Sequence, residues 1–278
     1  MDEQIDAFRQ LVWREGRAHW RDLPWRGIDD DYAVLVSEVM LQQTQVKRVL
    51  RYWERFMALF PTIDALAAAD NALVLELWQG LGYNRRALML KRCAEECAAH
   101  YGGALPAARD ELLALPGIGP ATASGVMAFA RNEPCVYLET NVRSVFLHHF
   151  FPGVEKVPDK DVAALVERAC PHTDVRGWYY ALLDYGAYLK SVVANPSRRS
   201  SAYARQSTFE GSHRQKRAAI VRLVLGEPGI GFNAISAELD KMERAAGRPA
   251  IDGYELSRLL DELIAEGFFA CDGQGYRA

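Results

Sequence analysis

The run Leu115-Pro116-Gly117-Ile118-Gly119-Pro120 constrains this chain more than any other stretch. Glu111-Leu112-Leu113-Ala114 writes the end of a helix, and Pro116 stops it because proline has no amide to continue the ladder. The two glycines let the backbone reverse with no Cβ in the way, and Pro120 sits where a proline opens the next helix. The pattern predicts two helices joined by a tight hairpin whose bare N–H groups can hold an anion. Held against a nucleic acid, such a hairpin grips phosphate and reads no bases. An ordinary interhelical turn has the same local signature, so the reading depends on its company.

The bulk numbers set the frame. A chain of 278 residues, half of them apolar and a quarter charged, describes a soluble globular protein of two or three domains. No apolar run approaches the ~18 residues of a membrane span, and Met1-Asp2-Glu3-Gln4 is acidic where a secretion signal is basic, so a cytoplasmic protein away from membranes is expected. Cys93, Cys97, Cys135, Cys170 and Cys271 are too scattered for a disulfide framework. Cys93 and Cys97 supply half a metal site at most, and no metal is expected. Apolar residues recur at helical spacing at Val34, Leu35, Met40 and Leu41, and again in 73–78 and 87–97, which predicts an all-α fold.

Texture changes towards the C-terminus. Residues 213–278 read as three helices, Arg214 to Leu225, Ile235 to Arg244 and Tyr254 to Glu266, followed by two short strands flanking Asp272-Gly273. That is a winged-helix-like order, but its third helix carries Glu255, Asp261, Glu262 and Glu266 against Arg258. A packing or protein-binding module is therefore favoured over a sequence reader. Just before it, between Lys190 and Arg217, seven basic residues stand against the single acid Glu210 in a chain whose net charge is −3. This local charge predicts phosphate contacts, Arg198, Arg199 and Arg205 foremost; a merely solvated linker is the alternative.

Leu23-Pro24-Trp25-Arg26, Ser37-Glu38-Val39-Met40-Leu41-Gln42-Gln43-Thr44-Gln45-Val46 and Gly80-Leu81-Gly82-Tyr83 accompany the hairpin run. In this order the chain resembles the helix-hairpin-helix DNA glycosylases of the endonuclease III superfamily, and within it the MutY type, over roughly residues 20–190. The resemblance implies an all-α, two-lobed fold with a DNA-binding cleft. Residues 31–142 would form a six-helix barrel holding the hairpin, 1–30 and 143–212 a second helical lobe with the basic loop, and 213–278 the winged-helix-like module.

Cleaving an N-glycosidic bond through a cationic sugar needs an acid for the departing base and an anion beneath the sugar. Glu38 lies on the apolar face set by Val34, Leu35 and Leu41, where desolvation keeps it protonated. It matches the residue that protonates adenine in MutY-type enzymes. Glu139 stands where these glycosylases carry aspartate, one methylene shorter, and Asn141 matches the asparagine two residues beyond that aspartate. Ala121 stands where bifunctional members carry a lysine nucleophile, so the reaction is expected to stop at an abasic site with no lyase step. Lys190, Ser197, Ser200 and Gln206 fall near the positions of the family's four cluster cysteines, so no iron-sulfur cluster is expected and no other cofactor either.

Gln43 and Tyr83 match residues that enter the base stack, followed by Arg85 and Arg86; Gly117 and Gly119 would hold phosphate. The expected activity is a monofunctional glycosylase on double-stranded DNA, working as a monomer, with adenine as the first target. Hypoxanthine, uracil or thymine in a mismatch, and alkylated purines remain open, as does a catalytically silent lesion-binding protein. A protein partner for 213–278 is the remaining expectation.

Overall fold

The computed structural model describes residues 2–273 and 275–278. Met1, at the head of the expected N-terminal segment, and Gln274, within the expected terminal hairpin, lie outside the described residues. The described residues form fourteen α-helices and one short β-hairpin, the all-α class expected from the helical spacing of the apolar residues. By internal contacts the chain divides into two compact units, 1–39 with 105–205, and 40–104 with 206–278. No helix among the described residues is long and apolar enough to cross a membrane.

The first unit contains α1 (Asp2–Ala18), most of α2 (Asp31–Leu41), α7 (Arg109–Ala114), α8 (Pro120–Phe129), α9 (Thr140–Phe150), α10 (Asp159–Ala169) and α11 (Val175–Val192). α1 buries Ile5, Phe8, Val12 and Gly16, a three-four spacing that lays one stripe along α11. Phe8 packs edge-on to Phe150 and Trp178, and α11 contributes the fully buried Trp178 and Tyr179. A buried ion-pair cluster ties the N-terminal segment to this helix: Arg26 donates two hydrogen bonds of 2.8 Å to the Asp184 carboxylate, and Arg21 Nε adds a third of 2.5 Å. Arg26 lies 4.7 Å over the Trp20 ring and 4.6 Å over that of Tyr180. Removing one partner would strand a charge in the core at a cost of about 3–5 kcal/mol. Leu23-Pro24-Trp25-Arg26 thus fixes the pose of α11.

The second unit contains α3 (Val46–Leu59), α4 (Ile63–Ala67), α5 (Asn71–Trp78), α6 (Arg85–His100), α12 (His213–Gly226), α13 (Phe232–Ala245) and α14 (Gly253–Ala265). Strands β1 (Ala270–Cys271) and β2 (Tyr276–Arg277) pair antiparallel, and Ile230 bridges to Tyr276. α14 buries Leu256, Leu259, Leu260 and Leu263, the stripe that packs it on α12. Three acids on α14 and at its C-cap have partners within the unit: Lys216 meets Glu255 at 2.7 Å, and Arg217 meets Glu262 at 3.2 Å and Glu266 at 2.8 Å. Part of the basic run is therefore neutralised within the fold. Arg92 and Asn71 donate to the carbonyls of Glu266 and Gly267, joining the C-terminal helices to α6 and α5.

Candidate active site and nucleic-acid interface

The hairpin joins α7 to α8. Gly117 has φ +76°, a left-handed conformation that glycine adopts without strain. Gly119 differs from the expectation that the turn itself demands glycine: its φ is −95°, open to any residue, and an added Cβ would meet nothing within 4 Å. What a side chain there would obstruct is approach from outside. As the N-cap of α8, Gly119 supplies no capping side chain, so protein side chains leave the first-turn amides of this ten-residue helix uncapped.

Glu38 sits on α2 between the buried Ser37 and Val39. α8 comes close enough that a Cβ on Gly125 would overlap the Glu38 carboxylate, so that glycine is what lets the second hairpin helix wall off the acid. Desolvation pushes the Glu38 carboxyl up to about 8. The buried Tyr137 hydroxyl, 3.0 Å from Glu38 Oε2, works against that shift, and the charge of Glu139 adds to it. Tyr137 is itself held by its backbone N–H, which donates to Tyr179 Oη at 3.2 Å; the Tyr179 hydroxyl in turn donates to the Cys135 carbonyl. The sequence reading missed Tyr137, since a ring between the apolar Val136 and Leu138 marks only an ordinary buried aromatic.

Glu139 is the N-cap of α9. Its Oε1 accepts from the N–H groups of Asn141 at 2.5 Å and Val142 at 2.9 Å, while Asn141 Nδ2 reaches Oε2 at 3.3 Å. Burial raises its pKa, while the Val142 and Asn141 donors and the positive charge of Lys190 pull it back. Lys190 arrives on α11, one turn beyond Gly186, whose lack of a Cβ lets α11 press against the Asn141 carbonyl. Its pKa is lowered by desolvation and supported by Glu139. Asn141 Oδ1 is buried with no hydrogen-bond partner, while its Nδ2 faces the Glu139 carboxylate. Two desolvated carboxylates, one hydrogen-bonded to a phenol and the other capped by amides beside a cation, can divide acid and anion roles.

In the second unit Gln43 and Tyr83 share a feature. Both are non-glycine residues in the left-handed region, at φ +52° and +49°. Arg86 staples their two turns together, donating from Nη1 to the carbonyls of Met40 at 3.1 Å and Gln42 at 2.5 Å, and from Nη2 to Thr44 Oγ1 at 3.0 Å and the Gly82 carbonyl at 2.9 Å. Arg86, expected at the DNA, thus has a structural task within the fold; burial lowers its pKa to about 10. Arg199 is likewise turned inward, donating to the carbonyls of Phe151 and, at 2.7 Å, Leu147 at the end of α9. Arg85, Arg198 and Arg205 are exposed.

Comparison with known proteins identifies the family. The family description "HhH-GPD superfamily base excision DNA repair protein" matches residues 36–172. An adenine DNA glycosylase of Mycolicibacterium smegmatis is 34% identical over 92% of this chain and 92% of its own length, and one of Mycobacterium tuberculosis is 32% identical over 96% and 93%. Among solved structures, a thermostable thymine-DNA glycosylase superposes with a TM-score of 0.64 at 22% identity, covering 70% of this chain and 91% of that one. A trapped endonuclease III–DNA intermediate gives 0.53 at 18%, covering 68% and 85%. The chain therefore belongs to the HhH-GPD superfamily of base excision DNA repair proteins.

Proposed function

We propose that the protein is a monofunctional adenine DNA glycosylase that acts on mispaired adenine in duplex DNA as a monomer. The observation that carries the reading is the carboxylate pair, with Glu38 raised to about 8 and Glu139 held by backbone amides beside Lys190. Glu38 holds a proton at neutral pH and gives it to the purine as the glycosidic bond lengthens. Glu139 carries the negative charge that the developing sugar cation requires, and Asn141 orients it. The attacking water completes hydrolysis, leaving free base and an abasic site. Full-length relatives named for adenine support that choice of base.

Before this chemistry the adenine has to leave the stack, and Gln43 and Tyr83 fill and wedge the space it vacates. Gly117 and Gly119 hold phosphate at the α8 N-terminus, with Arg85, Arg198 and Arg205 adding charge. The residues near the family's cluster positions do not fit an iron-sulfur cluster. Ser197 Oγ donates to Asn195 at 2.8 Å, Ser200 Oγ donates to Asp159 at 3.1 Å, Lys190 is a cation, and none brings a thiolate. Hydrogen bonds of a short 3-10 turn, 196–199, replace it.

Ala121 has no amine to attack the sugar, so no strand cleavage through a Schiff base is expected. The test is single-turnover incubation with an adenine·guanine duplex under borohydride, followed by alkali on a parallel sample. Breaks that need alkali and no trapped adduct support the reading. A trapped band lost in Lys190→Met would overturn the monofunctional assignment.

A further inference from the structure

The C-terminal segment reaches both stack-probing side chains. Gln206 Nε2 donates to Gln43 Oε1 at 3.1 Å. Arg214, in the first turn of α12, donates from Nη1 to the Tyr83 hydroxyl at 2.6 Å and from Nη2 to the Ser207 carbonyl at 2.8 Å. Its guanidinium carbon also lies 5.5 Å from the Tyr83 ring centroid, as does that of Arg86. Tyr83 is thus held at its hydroxyl and flanked by two guanidinium groups. Its backbone already sits in the left-handed region, a strained conformation that persists only where surrounding contacts fix it.

Arg86 and Arg214 divide the work. Arg86 donates to backbone carbonyls of both turns and to the Thr44 hydroxyl, so it sets the path of the two turns. Arg214 grips the tip of the side chain, and an aromatic ring on a half-buried turn would otherwise be free to change rotamer. A wedge is effective only if it is rigid before it meets the helix, because ordering it during base extrusion would subtract from the extrusion equilibrium. The short bond from a permanently charged, planar donor is suited to that task. Ser212 caps α12 by accepting from Gln215 N at 3.3 Å, and Lys216 and Arg217 anchor the helix to α14, so Arg214 projects from a fixed base.

We propose that Arg214 is a positioning residue for base extrusion, holding Tyr83 through its hydroxyl in the pose that wedges the duplex, with Gln206 doing the same for Gln43. The proposal rests on the reading that Tyr83 enters the base stack. It gives residues 206–217 a part in the reaction that neither the hairpin nor the carboxylates supply. The substrate feature it acts on is the base opposite the target, since that is what a wedge has to separate from it.

Single-turnover excision by the full chain is measured on two duplexes, adenine opposite guanine and adenine opposite an abasic analogue that offers no base to separate. Arg214→Ala is expected to slow excision roughly tenfold on the first and by less than about twofold on the second, from the loss of one charge-assisted hydrogen bond. Tyr83→Phe, which removes only the hydroxyl, is expected to match that pattern, and the double variant to be no slower than either single. Arg214→Lys keeps one donor and is expected to recover most of the rate, which separates positioning from misfolding. Equal losses on both duplexes, or single effects that multiply in the double variant, overturn the proposal. A wild-type protein that releases no base from either duplex defeats the functional reading itself, whereas a loss in Tyr83→Ala with none in Arg214→Ala defeats only this inference.

Discussion

Replacing Glu38 by glutamine is expected to stabilise the protein at neutral pH while ending base release. Desolvation lifts the folded-state pKa from an ordinary value of 4.5 to about 8, so between those values the native state binds a proton that the unfolded chain has lost. Stability associated with this group is therefore full below the unfolded value and falls as pH rises through the folded one. With those two pKa values the linkage relation gives a penalty of about 3 kcal/mol at about pH 7, but less than about 1 kcal/mol at about pH 5. Glutamine keeps the shape, stays neutral at every pH and can still meet the Tyr137 hydroxyl. Urea unfolding at the two pH values should show the variant gaining about 3 kcal/mol at the higher and little at the lower. A gain that is the same at both, or a loss at neutrality, would refute a desolvated, proton-holding Glu38 and with it the assignment of the general acid.

Tyr137→Phe removes the hydrogen bond that favours ionised Glu38, so the alkaline limb of the pH–rate profile should move to higher pH while the rate falls roughly tenfold; an unmoved limb would contradict the contact. Glu139→Asp should keep the α9 cap and most of the activity, whereas Glu139→Gln should abolish excision and leave DNA affinity nearly unchanged, as gel-shift titration would report. Neutralising Arg198 and Arg205 together should weaken binding to every duplex alike and flatten the log-log salt slope by up to about two units, with base selectivity intact. Arg199→Ala should instead cost about 2 kcal/mol of stability, because it strands the carbonyls of Leu147 and Phe151 at the end of α9.

The parts of the fold that local rules govern were legible in the sequence. The stop at Pro116, the start at Pro120 and the three C-terminal helices follow from residues adjacent along the chain, and the structure places α7, α8, α12, α13 and α14 there. Glu38 was legible because one apolar helix face both buries it and raises its pKa. What the sequence hid is direction across long separations. Nothing local distinguishes Arg199 and Arg86, which turn to carbonyls inside the fold, from Arg198 and Arg85, which stay exposed. Tyr137 meets Glu38 across 99 positions and Arg214 meets Tyr83 across 131, so neither contact leaves a periodic trace. Gly125 and Gly186 are silent for the same reason, since each is explained only by the atom that crowds it.

The central claim, that Glu38 and Glu139 together release mispaired adenine by hydrolysis, is tested most directly by single-turnover assay of the wild type, Glu38→Gln and Glu139→Gln on duplexes that each carry one candidate base. Adenine, hypoxanthine, uracil, thymine and an alkylated purine make up the panel, with free base quantified beside alkali-revealed breaks. The account predicts that the wild type releases adenine in equal amount to the abasic sites formed, and that both variants bind the same duplex while releasing none. Release of another base in preference to adenine, or undiminished release by either variant, would contradict it.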